Sequence, residues 1–187
     1  SSLNLPSRFI FIKTKFIEKE LKQNLSLKKI SIIRQLIPFG LKVFIETRSP
    51  IAYGEKSLNG KKIRGFFDKN GYFIDEKHTE QVNLESLSIQ VIGWQDKFKK
   101  ILSEILIAQE KYSLKIVKIT FSPNGFLILE EKSLKTIVLG NNTKLINIQL
   151  QIIKKLKNEF KKNYFSKKID NIDLTDPKKP IIKVFKP

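Results

Sequence analysis

The sequence predicts an α+β fold, and three observations lead there. Apolar residues alternate with polar ones at spacing two in many short runs, as half-buried strands require. Three longer stretches carry apolar residues at spacings of three and four instead, the signature of amphipathic helices. Pairs and clusters of Gly, Pro, Asn and Asp separate the two kinds of run. The expected order is helix–strand–strand, followed by a mixed α/β domain with an antiparallel sheet and two amphipathic helices.

The first helix is predicted over 14–25, where Ile17, Leu21 and Leu25 fall at i, i+4 and i+8 and Thr14 offers a cap. Residues 27–52 then read as two strands around a turn. Ile30 and Ile32 alternate in the first strand, and Leu41, Val43 and Ile45 in the second. The break at 36–40 contains Pro38, which fixes φ, and Gly40. Pro50 is expected to end the second strand, because it cannot donate to a ladder. Residues 52–62 are polar with two glycines and read as a loop, so the expected layout is 1–52, a linker at 53–62, and a second domain at 63–187.

In the second domain, runs at 64–67 and 72–75 flank Asp68-Lys69-Asn70-Gly71, a hairpin signal with Gly71 free to take positive φ. Further strands are expected at 87–92, 114–121, 126–130, 136–139, 169–174 and 181–185. A helix over 94–109 would bury Trp94, Phe98, Ile101, Leu102, Ile105 and Ala108. Another over 144–161 would bury Leu145, Ile148, Ile152, Leu156 and Phe160.

Composition narrows the function classes. Lys and Arg number 36 against 18 Asp and Glu, a formal charge of +18, which favours anionic partners. The lysines are spread over every segment, though, as drift and solubility would leave them. The absence of cysteine excludes disulfides, thiolate metal sites and cysteine nucleophiles. His78, the only histidine, lies in a polar stretch and reads as a solvated loop residue, so no zinc site is expected. Asp68, Asp75, Glu76 and Glu80 lack the spacing of a known cation loop, and Asp68 belongs to the hairpin turn. No phosphate-binding Gly-rich loop, nucleophile elbow or metalloprotease motif occurs. The expectation is a non-enzymatic protein with no cofactor or metal. Basic runs with aromatics occur at 97–100 and 161–168, where Tyr164 and Phe165 would stack on bases. A solvated helix end explains the same letters, and no RNA-binding signature accompanies them.

Arg34, Pro38, Leu41, Val43, Ile45, Glu46, Arg48, Pro50 and Ala52 form a spaced pattern. It resembles the end of the POTRA domain in the FtsQ/DivIB family of bacterial division proteins, with Thr47 separating a Glu and Arg that the family keeps adjacent. The hairpin FFDKNGYFI, the run Ile137–Gly140 and the triplet Ile172-Asp173-Leu174 follow in the family's order, with Thr175 where the family has Arg. The likeness covers about residues 3–187. It implies a truncated POTRA domain followed by the family's β-rich domain, from a single-pass inner-membrane protein with this portion on the periplasmic side. A cytoplasmic tail, a membrane helix and the first POTRA strand and helix would then precede Ser1. The implied work is scaffolding of the division complex. Small coiled-coil, membrane-anchored division proteins would dock by strand addition at Ile181, Ile182, Lys183 and Val184, with Asp173 and Leu174 in the neighbouring strand. On that edge Ile182 and Val184 are expected to face the core and Lys183 to point outward. A POTRA-bearing envelope assembly protein and a basic nucleic-acid-binding protein are the alternatives.

Overall fold

Helix α1 (Thr14–Asn24) lays Ile17 against a hairpin of strands β1 (Lys29–Gln35) and β2 (Gly40–Glu46). The hairpin register sets Ile30 opposite Ile45 and Ile32 opposite Val43. Ile17, Leu27, Ile30 and Ile32 form a small core, with Leu21 and Leu41 packed on it. The Glu18 carboxylate accepts the Ile32 amide at 2.6 Å, tying helix to strand. Lys28 donates to Glu46, and this hydrogen bond holds the Glu46 carboxyl below its ordinary value. The helix starts on Lys13 with no side-chain cap, so Thr14 does not cap it, and Leu25 is exposed. Val43, Phe44 and Ile45 of β2 are exposed as well.

These elements belong to the first of two compact units, Ser1–Ser49 and Pro50–Pro187. The computed structural model describes residues 13–37, 40–58, 61–79, 87–162 and 169–184. Glu80, Tyr164, Phe165 and Phe185 lie outside the described residues.

The second unit carries β3 (Pro50–Leu58), β4 (Lys61–Asp68), β5 (Phe73–Asp75), β6 (Gln90–Trp94), α2 (Lys99–Lys111), β7 (Ile116–Phe121), β8 (Leu127–Glu131), β9 (Lys135–Gly140), α3 (Ile146–Lys162), β10 (Ile169–Asp173) and β11 (Ile181–Val184). Together with the first unit this makes the chain α+β, as predicted. All nine strands form one sheet in the order β11-β10-β9-β8-β7-β6-β3-β4-β5. The sheet is mixed rather than antiparallel: β3–β6, β6–β7 and β9–β10 pair in parallel. Two of those joins enclose a helix, α2 between β6 and β7 and α3 between β9 and β10, because a parallel pair needs a crossover too long for a hairpin.

The linker expected at 53–62 is corrected by β3, which pairs with β4 on one side and β6 on the other. Pro50 opens this strand instead of closing β2, and a first strand position is where a missing donor is harmless. Gly54 is required by close approach: a Cβ there would lie 2.2 Å from the Val91 carbonyl oxygen.

One face of the sheet carries the core. Val91, Ile119, Leu129, Ile137 and Ile172 stand side by side across five strands, each at most 1% exposed. Each such side chain contributes about 1.5–3 kcal/mol by leaving water. Leu102, Ile105 and Leu106 of α2 and Ile146, Leu150 and Ile153 of α3 join the same core. Trp94 ends β6 rather than starting a helix, and a short 3-10 turn (Asp96–Phe98) precedes α2. The Trp94 ring packs with Phe67 and Phe73 at centroid distances of 5.2 and 5.9 Å. The buried face of α3 is rotated by about one residue from the expected one. Ile146, Gln149, Leu150, Ile153 and Lys157 are buried, while Ile148 is exposed and Ile152, Leu156 and Phe160 are half-buried.

Candidate partner-docking edge

The two outer strands of the sheet are β5 and β11. Strand β11 pairs antiparallel with β10, setting Ile181 opposite Asp173, Ile182 opposite Ile172, Lys183 opposite Asn171 and Val184 opposite Ile169. Among the described residues nothing pairs with its outer side. A row of backbone donors and acceptors on an uncovered strand is a template for another chain.

All four β11 residues are exposed. Ile182 continues the core row one strand beyond Ile172, yet it is 38% exposed where Ile172 is 0%. The expected orientation of Ile182 toward the core-facing side holds in the register, but the expected burial of Ile182 and Val184 does not. Being outermost does not by itself expose a strand, since Ile74 in the other outer strand is 3% exposed; at β11 the core row simply runs out beyond Ile172. Lys183 points away from the core row, as the alternation requires.

The turn into β11 is built by acidic side chains. The Asp173 carboxylate accepts from Thr175, whose backbone amide lies at 2.8 Å. Bonds from the Thr175 hydroxyl and amide, assisted by the charge of Lys183, hold the Asp173 carboxyl below its ordinary value. Asp176 accepts the Lys178 amide at 2.9 Å, closing the turn between Pro177 and Pro180. Leu174 lies just beyond β10 and is fully buried. Its side chain is therefore a packing element and cannot touch a partner, whereas Asp173, Ile181, Ile182, Lys183 and Val184 are accessible.

The residues considered for chemistry have structural places. Asp68 is buried and its Oδ1 accepts the amides of Asn70 and Tyr72, both at 2.9 Å, while Gly71 takes φ +71°, so the hairpin turn is built as expected. Asp75 caps a 3-10 turn (Glu76–His78) in which His78 is exposed. No cluster of metal-ligating side chains occurs among the described residues. Lys97 lies over the Phe98 ring, the single aromatic of the first basic run, and Lys99 lies over the Tyr72 ring.

Three buried polar side chains, Glu131, Lys157 and Gln149, escaped the sequence. Glu131 is 2% exposed and accepts from the Lys115, Ser133 and Leu134 amides, the Ser133 hydroxyl and Lys157 Nζ. Burial pushes its carboxyl up, but these donors outweigh burial and bring it down to about 2. Lys157 also donates to the Ser113 carbonyl at 2.7 Å, so the pair joins α3, the end of α2 and the β8–β9 turn. Gln149 donates from Nε2 to two carbonyls. The available signal for Gln149 and Lys157 was a polar letter on the stripe Ile146, Leu150, Ile153.

Comparison of the chain with protein-family models gave no match, and comparison with curated proteins gave none either. No described helix is long and apolar enough to cross a membrane.

Proposed function

We propose that the chain is a non-enzymatic scaffold of the bacterial division complex that receives a partner strand along β11. The observation that carries this is the core row of the sheet, which runs on to Ile182 at an edge left uncovered among the described residues. An added strand would complete the ladder through main-chain bonds and place side chains beside Ile182 and Lys183, the division of labour between affinity and specificity in strand addition. The resemblance of residues 34–52 and of the later motifs to FtsQ/DivIB proteins supplies the partner class: small coiled-coil, membrane-anchored division proteins. It also supplies the setting, the outer side of the bacterial inner membrane, with the first unit as a truncated POTRA domain.

The test pairs this chain with the small single-pass coiled-coil division proteins of the same cell and measures binding and amide exchange. Binding should protect residues 181–184 from exchange. Val184→Pro removes one backbone donor of the strand. It should leave the rest of the sheet folded and abolish capture. Equal capture by Val184→Pro and the parent would remove β11 as the docking site.

A further inference from the structure

We propose that Gln149 is the positioning residue of the docking edge, a clamp that holds the β10–β11 hairpin to the body of the sheet. The proposal rests on the reading of β11 as that edge. Gln149 is 1% exposed on α3, and its Nε2 lies 2.7 Å from the Leu139 carbonyl oxygen in β9 and 2.8 Å from that of Leu174. A side-chain amide nitrogen carries two hydrogens, and both are used. One acceptor lies near the end of β9 and the other just past the end of its neighbour β10.

The joint that Gln149 spans is a short one. Strand β10 meets β9 over three residues, Asn171–Asp173, in the parallel arrangement, which is the less stable per residue. The Leu174 amide extends it by one bond, 2.8 Å to the Val138 carbonyl. Among the described residues, strand β11 is paired to β10 alone. The chain then turns at Thr175, whose methyl would lie 3.0 Å from a Cβ on Gly140. The segments Leu139-Gly140 and Leu174-Thr175 therefore run together, with Gln149 bridging them from the helix layer. An apolar residue at 149 would suit the stripe of α3; burying an amide there is worthwhile only because both carbonyls meet it.

Gln149→Met tests the clamp, because it keeps the length of the side chain and removes both donors. Hydrogen exchange followed along the whole 187-residue chain should rise at least about tenfold in residues 169–184, the change expected from one buried hydrogen bond. Exchange in α2, β7 and β8 should stay at the parent's level. Asp173→Ala attacks the same joint from the surface by releasing Thr175. It should give the same local pattern at smaller size; if Gln149→Met does not fold, Gln149→Asn, which keeps the amide but shortens its reach, decides the question by the same exchange measurement. Unchanged exchange in the hairpin, or a rise of equal size throughout the second unit, would make Gln149 an ordinary core residue and overturn the proposal. The clamp and the docking site fail separately. Loss of hairpin protection with full capture of the division partners would leave the clamp standing and sink the docking site. Under the docking reading, capture should weaken in step with hairpin protection.

Discussion

The two edges of the nine-stranded sheet are finished in opposite ways. Strand β5 is three residues long, its central Ile74 is 3% exposed, and a 3-10 turn capped by Asp75 ends it at once. Brevity of this sort protects an edge from other chains. Strand β11 is longer, all of its residues are exposed, and three of its four side chains are β-branched apolar ones. Its only charge is Lys183. Among the described residues the sheet thus has one short edge that ends at once and one longer, exposed edge, so exposure at β11 is a property of that strand and not of the sheet. The lesson concerns function: an edge left uncovered among the described residues, beside a buried aliphatic row, is suited to taking up another strand.

Substitutions can break or sharpen that contrast. The largest expected effect lies between the edges. Lys157→Met leaves Glu131 buried without its cation, and we predict a loss of about 3–5 kcal/mol in denaturant unfolding of the second unit, affecting both edges together. The same site sets an acid limit. Because the folded Glu131 carboxyl lies below its unfolded value of 4.5, its stabilisation is fully present above that value and drains away as pH falls toward about 2. Acid titration of Glu131→Gln should lack this component; an identical acid profile would show that Glu131 does not supply it.

At the short edge, Ile74→Ala should cost about 2–5 kcal/mol, as for other buried aliphatic truncations. At the exposed edge, Ile182→Ala and Lys183→Glu should each move stability by no more than about 0.5 kcal/mol, the ordinary range for surface changes. Each should nonetheless weaken partner binding. Thermal melts and binding measured on the same three proteins decide the matter. If Ile182→Ala destabilises as much as Ile74→Ala, the two edges are equivalent and the contrast disappears.

Features written in local chemistry were legible in the sequence. Asp68 and Gly71 announced their turn because the bonds that build it span at most four residues. The helices were visible through their stripes, and the alternating strands through theirs. Strand β3 was hidden because Gly54, Glu55 and Lys56 look like loop, although Gly54 is there to let Val91 approach. Parallel pairing was hidden too, since partners such as Tyr53 and Gln90 are joined by nothing that a short window contains. The face of α3 was misjudged because Gln149 and Lys157 are polar yet buried, each justified only by acceptors on other elements. At the candidate site the sequence located the strand and the outward Lys183. The exposure of Ile182 was not legible, because alternation reveals a face but not whether anything covers it.

From β6 to β11, order in space repeats order in the chain. During synthesis this half of the sheet can therefore grow outward one strand at a time, each new strand meeting a neighbour already made. With docking at β11, the receptive surface comes into being only after every strand beneath it has been added. Translation halted anywhere before Ile181 yields a product that ends on a different strand and offers no seat for the partner. Under the docking reading, capture would then report that the sheet has been built as far as β11.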